Sequence, residues 1–429
     1  MSTQKIIQAK CATSTFTKRL DITFDEVSGL ITDIQDASKD KNSVDYYFND
    51  DCLLFAGMGD IHIHAREDVS GKNTYKEDFH STCCAAINGG VVHVGDMPNN
   101  PTPPIDDESY LKKFSLTQKV ATPILLYAGI GPATRPLSFM VPYKAYMGPS
   151  IGELFFKDNQ SLDDVLVHYK NQHVSFHCED PEILESHKGE STHGLRRPIK
   201  AELMATDTAL MLIEKYDLRG KLCHYSAGEG LKSIIAAKKR GVNVTCEVTP
   251  QHLYYSEESL KLKSAQEQTY FQMNPPIRGE SDRVALINAL IEGHIDYLAT
   301  DHAPHSKEEK VKGMSGLPGL DTYGAFVTWL ILDQKIDTKV IAKITSEGPG
   351  IFFNQFCDSI NKQDKYFKKF GHGFGFLKVG FSASFTILNL SKPVTIEEKN
   401  LKTKAAWSPF LGVTFPGSVE NVFVSGKKM

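Results

Sequence analysis

A chain of 429 residues, 41% hydrophobic and 23% charged, has the size and composition of a folded protein with one large domain and a smaller one. That excludes disorder and a coiled coil, and a formal net charge of -4 leaves no footprint for a polyanion, so no nucleic-acid partner is expected. Residues 1–10 lack an apolar core of signal-peptide length, and no window approaches the roughly 20 apolar residues of a membrane span, so we expect a cytoplasmic protein without a membrane partner.

In chain order, residues 1–55 carry short β-prone runs such as Lys5-Ile6-Ile7-Gln8-Ala9 and Gly29-Leu30-Ile31-Thr32-Asp33-Ile34, with no long helical period. Residues 366–429 have the same texture, in Ser384 to Leu390 and Val419 to Val424. Both ends are therefore expected to join in one small β-sandwich domain.

Between them, across residues 56–365, eight short apolar runs alternate with helix-compatible segments: Leu53 to Ile63, Val91 to Gly95, Ile124 to Gly129, Tyr143 to Met147, Val174 to His177, Leu222 to Tyr225, Val242 to Val248 and Asp296 to Thr300. Strands alternating with helices imply parallel pairing through right-handed crossovers, and eight such units predict a (β/α)8 TIM barrel, an α/β fold. Catalytic groups of that fold sit where strands end at the carboxyl face. Polar residues should then follow the apolar runs.

They do. The first run leads into Asp60-Ile61-His62-Ile63-His64-Ala65-Arg66, and strand alternation puts Asp60, His62, His64 and Arg66 on one face. Two imidazoles so spaced suit a divalent metal, zinc first, and a guanidinium suits a carboxylate. Later runs end in or carry Asn99, Lys144, His177, His224 and Asp301, the last within Asp301-His302-Ala303-Pro304-His305. Each alone also fits a plain structural role: His62, His64, His177 and His224 as hydrogen-bonded core histidines, Lys144 as a rim lysine, Asp301 as a helix cap. Their joint placement at strand ends favours a site.

His93, His168, His173 and His252 read as structural, and the eight scattered cysteines, without C-x-x-C pairs, as reduced and buried. Ser306 to Gly319 reads as a solvated loop whose flexible end borders the site.

These residues carry a family resemblance. The Asp60-x-His62-x-His64-x-Arg66 motif, Met97-Pro98-Asn99, His177 with Glu179, His224, Cys246-Glu247-Val248-Thr249-Pro250-x-His252, Asn274-Pro275-Pro276-x-Arg278 and Asp301 to His305 resemble the amidohydrolase superfamily, and within it dihydroorotases of the class I type. The resemblance implies that His62, His64 and Asp301 bind one Zn2+, His177 and His224 a second, and a carboxylated Lys144 bridges the two. It also implies that Arg66, Asn99, Asn274 and His305 hold the carboxylate of dihydroorotate or N-carbamoyl-L-aspartate, that the backbone around Pro318-Gly319 borders the pyrimidine ring, and that Asp301 is catalytic. The basic segment from His187 to Pro198 receives no role from the pattern. The expected partners are a small-molecule substrate and, in a homo-oligomer, further copies of the chain. Two alternatives stand beside this: a hydantoinase, dihydropyrimidinase or allantoinase, which shares the barrel and metals, and a non-catalytic scaffold subunit, which would lose ligands.

Overall fold

In the computed structural model, which describes residues 3–40, 43–149 and 154–429, the first five strands are β1 (Gln4–Ala12), β2 (Thr17–Asp25), β3 (Leu30–Asp36), β4 (Tyr46–Tyr47) and β5 (Cys52–Phe55). In β2, Leu20, Ile22 and Phe24 are buried while Arg19, Asp21 and Thr23 between them are partly exposed, the alternation of a strand with one wet face. At Gly57 (φ +78°) the chain leaves this sheet. A Cβ there would meet Val92 Cγ2 at 2.6 Å and the Ser384 carbonyl oxygen at 2.9 Å, so only glycine fits the turn. The single run expected from Leu53 to Ile63 is thereby divided between two sheets.

The next strands are all parallel. β6 (Met58–Ile63), β7 (Val91–Asp96) and β8 (Ile124–Leu126) form one sheet. β9 (Ala128–Ile130), β10 (Tyr143–Tyr146), β11 (His173–His177), β12 (Arg219–Leu222), β13 (Val244–Val248) and β14 (Tyr297–Leu298) form another. Helices such as Phe79–Asn88, Asp107–Thr117, Ile199–Lys215, Leu231–Lys239 and Glu280–Ile291 connect them. Every residue of β6, β7, β10 and β11 is buried, as expected of strands covered on both faces.

The expected barrel is thus seen as two parallel sheets, with no continuous ring of ladders among the described residues. Tyr127 alone separates β8 from β9, and its amide donates to the Asp96 carbonyl at 3.0 Å. On the other side, Ile63 and His302 are joined by an isolated parallel bridge. The ladder from β14 to β6 is replaced there by a side chain, because the Asp60 carboxylate takes the Thr300 amide (3.1 Å) and hydroxyl (2.5 Å).

The chain then returns to the first sheet. β15 (Phe385–Asn389) pairs antiparallel with β5, and the short β16 (Val394–Thr395) and β17 (Thr414–Phe415) pair with each other. β18 (Ser418–Val424) and β19 (Lys427–Lys428) complete an eight-stranded sheet drawn from both ends of the chain. Where a sandwich of two sheets was expected, one sheet encloses its own core of Ile7, Leu20, Ile22, Phe24, Phe385 and Phe423. Leu53, Phe55 and Leu388 instead join the main core, so opposite faces of the same sheet serve two clusters.

All eight cysteines are free, but Cys84 and Cys357 are only half-buried, against the expectation that all are interior. Among the described residues no helix is long and apolar enough to cross a membrane.

Candidate metal-binding active site

The carboxyl ends of the parallel strands open on a cavity of about 250 Å³. It is lined by His62, His64, Arg66, Asn99, Lys144, His177, His224, Asn274 and Asp301. His305 does not line it, yet it is fully buried and accepts from Arg66 Nη2 through Nε2 at 3.2 Å. All ten residues singled out from the sequence are therefore at or directly behind one cavity.

Strand geometry explains much of this. Lys144 lies in β10 and His177 ends β11, whereas His64, His224 and Asp301 lie beyond the ends of their strands. Simple alternation stops at Ile63: Arg66 (φ +63°), His224 (φ +38°) and Asp301 (φ +48°) all have left-handed backbone. Such a conformation costs a non-glycine residue about 1–3 kcal/mol, and it recurs where function constrains the chain. Asp60, placed by alternation with the histidines, binds Thr300 and the His62 amide and does not line the cavity.

Hydrogen bonds fix which nitrogen each ring presents. His62 Nδ1 donates to Glu247 Oε1 at 2.6 Å, and His64 Nδ1 donates to Asn99 Oδ1 at 2.7 Å. Burial first, then neighbouring cations, hold both imidazoles well below the ordinary histidine range, so each is neutral. Their remaining nitrogens carry lone pairs, and both face Asp301 Oδ1, at 3.3 Å from His62 Nε2 and 3.1 Å from His64 Nε2. Lone pairs facing a carboxylate oxygen repel unless a proton or a metal cation lies among them. His62, His64 and Asp301 accordingly form a group able to hold a metal ion.

A similar convergence occurs alongside. His177 Nε2 donates to Glu179 Oε2 at 2.7 Å, which leaves its Nδ1 facing His224 Nε2 at 3.0 Å. His224 Nδ1 and Lys144 Nζ are buried without a hydrogen-bond partner. An ammonium has three donors, and here none of them reaches an acceptor among the described residues, so a bare lysine is poorly matched to this place. Burial also raises the Asp301 carboxyl from its ordinary value to about 7.

Several neighbours were missed from the sequence as site groups. Tyr146 lines the cavity with its hydroxyl unpartnered; it lies two residues after Lys144 in β10, and alternation could have found it. Glu247 accepts from His62, Lys221 and the His224 amide (3.0 Å), and a carboxylate inside an apolar run was its signal. Glu179 accepts from Arg197 Nη2 at 2.5 Å; burial would raise its pKa, but Arg197 and His177 outweigh burial and hold it below the usual carboxylate range. Arg197 belongs to the basic segment from His187 to Pro198, which thus supports His177 at one remove.

The stretch expected as a solvated loop is partly a helix, Lys307–Val311, capped by the Ser306 side chain. The cavity is lined by Gly313, Met314, Ser315 and Gly316 and not by Pro318-Gly319, because Gly319 is packed against Gln251 and Thr300.

Three relatives by sequence are dihydroorotases. That of Thermococcus kodakarensis is 31% identical over 407 residues, covering 93% of this chain and 88% of its own. That of Shouchella clausii is 31% identical over 402 residues (87% and 86%), and that of Lactobacillus acidophilus 29% over 396 residues (87% and 87%). Among solved structures, an L-hydantoinase (dihydropyrimidinase) from Arthrobacter aurescens superposes with a TM-score of 0.83 at 21% identity, over 99% of this chain and 95% of that one. A dihydropyrimidinase from Brevibacillus agri gives 0.82 at 20%, over 99% and 94%. At such identity the likeness establishes the fold alone. No family model matches the chain.

Proposed function

The chain belongs to the dihydroorotase family of cyclic amidohydrolases, and on that premise we propose that it catalyses the reversible hydrolysis of (S)-dihydroorotate to N-carbamoyl-L-aspartate, the third step of de novo pyrimidine synthesis. The observation that carries the substrate is Arg66. Its guanidinium lines the cavity while 3% exposed, its Nε has no hydrogen-bond partner, and no ion pair is recorded for it among the described residues. A buried cation that has Asp301, Asp96 and Glu309 nearby but no carboxylate within ion-pair distance among the described residues, beside an open cavity, favours an anionic ligand, and dihydroorotate has a carboxylate where hydantoin has none.

In this reading zinc would be held by His62, His64 and Asp301 at one position and by His177 and His224 at the other, with Lys144 as a carbamate between them. Converging lone pairs and the unpartnered Lys144 and His224 nitrogens support that assignment. When bound, the metals polarise the ring carbonyl and lower the pKa of water towards about 7. Asp301 is the one carboxylate lining the cavity among the described residues. It takes a proton from the attacking water at a carboxylate oxygen and delivers it to the leaving ring nitrogen, reversing the transfer on ring closure. Arg66 and Asn274 receive the substrate carboxylate, His305 holds Arg66, and Asn99 keeps His64 in the tautomer whose Nε2 is free.

We also read the two parallel sheets as one (β/α)8 barrel across residues 56–365, with residues 1–55 and 366–429 forming the small domain. The Ile63–His302 bridge and the Tyr127 amide support continuity on both sides.

The test is a parallel assay of the zinc-loaded protein with dihydroorotate, carbamoyl aspartate, hydantoin and allantoin. Turnover of the first pair is expected. Turnover of the neutral cyclic amides alone would assign a hydantoinase-type or allantoinase-type enzyme, and no turnover at full metal occupancy would assign a scaffold subunit. A finer prediction concerns Arg66. A hydrogen bond to a charged group is worth about 1.5–3 kcal/mol, so Arg66→Met should lower kcat/KM for dihydroorotate by roughly 10- to 100-fold with metal content unchanged. Unaltered kinetics would remove the arginine from substrate binding.

A further inference from the structure

We propose that Lys310 is a positioning residue, whose ammonium clamps the segment Gly313 to Gly316 so that the Ser315 amide is held as a hydrogen-bond donor for the substrate. The inference rests on the cavity being the substrate site. Lys310, in the helix Lys307–Val311, is fully buried. Its Nζ donates to three main-chain carbonyls, those of Gln272 at 2.7 Å, Met314 at 2.6 Å and Gly316 at 3.0 Å, which matches the three donors of an ammonium. No ion pair is recorded for it among the described residues. Burying a cation without a carboxylate is costly, and burial lowers the Lys310 pKa to about 7; the three carbonyls, with the Trp407 ring 5.9 Å from Nζ, are what offset that cost.

Two of them, Met314 and Gly316, line the cavity, and the third lies two residues before Asn274, which lines it as well. One buried side chain therefore ties together two separate stretches of the cavity wall. The main chain holds the segment as well, through the Gly313 amide to the Lys310 carbonyl (2.8 Å), the Met314 amide to the Glu309 carbonyl (3.1 Å) and the Gly316 amide to the Gln272 carbonyl (2.9 Å), and Gly313 (φ +85°) and Gly316 (φ +134°) adopt backbone conformations that other residues rarely reach. A trans peptide directs its C=O and N–H oppositely, so turning the Met314 carbonyl onto Lys310 turns the Ser315 amide away from it. Ser315 lines the cavity, and neither its amide nor its hydroxyl has a recorded hydrogen bond among the described residues. Two uncommitted donors on a clamped segment suit an oxygen-rich ligand such as a carboxylate or a ring carbonyl.

The experiment compares the zinc-loaded wild type with Lys310→Met and Lys310→Gln. Trypsin cleavage after the exposed Lys312 reads the segment without substrate, and zinc content, kcat and KM for dihydroorotate read the site. In Lys310→Met, cleavage should be at least about 10-fold faster and KM up by about 10-fold, with zinc retained and kcat changed by less than about threefold, and Lys310→Gln should fall between. If the methionine variant does not fold, the glutamine variant carries the same comparison. Faster cleavage with KM unchanged would make Lys310 merely structural, and cleavage unchanged would dismiss the clamp. Should the wild type fail to turn over dihydroorotate, the functional reading falls, and the cleavage comparison still decides whether Lys310 holds the segment.

Discussion

Asp301→Asn should retain at least one zinc yet lose turnover by about 10²- to 10⁴-fold in both directions, the range for removing a positioned acid–base group. Asp301 follows β14 (Tyr297–Leu298), and its left-handed backbone turns the carboxylate to face His62 and His64 at 3.3 and 3.1 Å. Asparagine keeps the shape and one oxygen able to coordinate, but it cannot take a proton. No other carboxylate lines the cavity among the described residues, so no second carboxylate is placed to substitute. Ring opening and ring closure use the same group, so both rates must fall together. The measurement is metal content beside forward and reverse rates across pH. A metal-loaded variant near the wild-type rate in both directions would show that another group moves the proton.

Lys144→Ala should empty at least one metal position and abolish activity, with partial recovery in short carboxylic acids. Lys144 is fully buried in β10, and its Nζ has no hydrogen-bond partner. A free ammonium between two zinc ions would be repelled by both, whereas a carbamate brings anionic oxygens to the same place. Alanine removes the support and leaves space that a small carboxylate can enter. Zinc stoichiometry, and activity titrated with acetate or propionate, read the outcome. Full metal occupancy in the alanine variant, or an electron-density map of the wild type with a bare amine between occupied metals, would rule the carbamate out.

Arg66 and Lys310 probe a different part of the cavity, its grip on substrate, and their variants should keep zinc while changing kcat/KM or KM. The two pairs of substitutions therefore separate chemistry from recognition. A shared loss of metal in all four would instead indicate general damage to the fold.

The alternation of apolar runs with helical segments was enough to predict parallel strands joined by helices, because period and length are local properties of the chain. Ligand-type residues at the ends of those runs were equally legible, since a strand end sets where a side chain emerges even when the pairing is unknown. What sequence could not supply were features that depend on partners distant along the chain. Gly57 splits one apolar run between two sheets because Val92 and Ser384 crowd it. Asp60 shares a strand face with the histidines, yet it is turned to Thr300, 240 residues away. Glu247 supports His62 from 185 residues away, and its bond to the His224 amide forms only when β12 and β13 lie side by side. Ser306 to Gly319 looked solvated because its lysines and glutamates are polar, but polarity does not say where a cation is satisfied. Only the tertiary structure surrounds Lys310 with three carbonyls, and burial of that one charge decides which part of the segment faces the cavity.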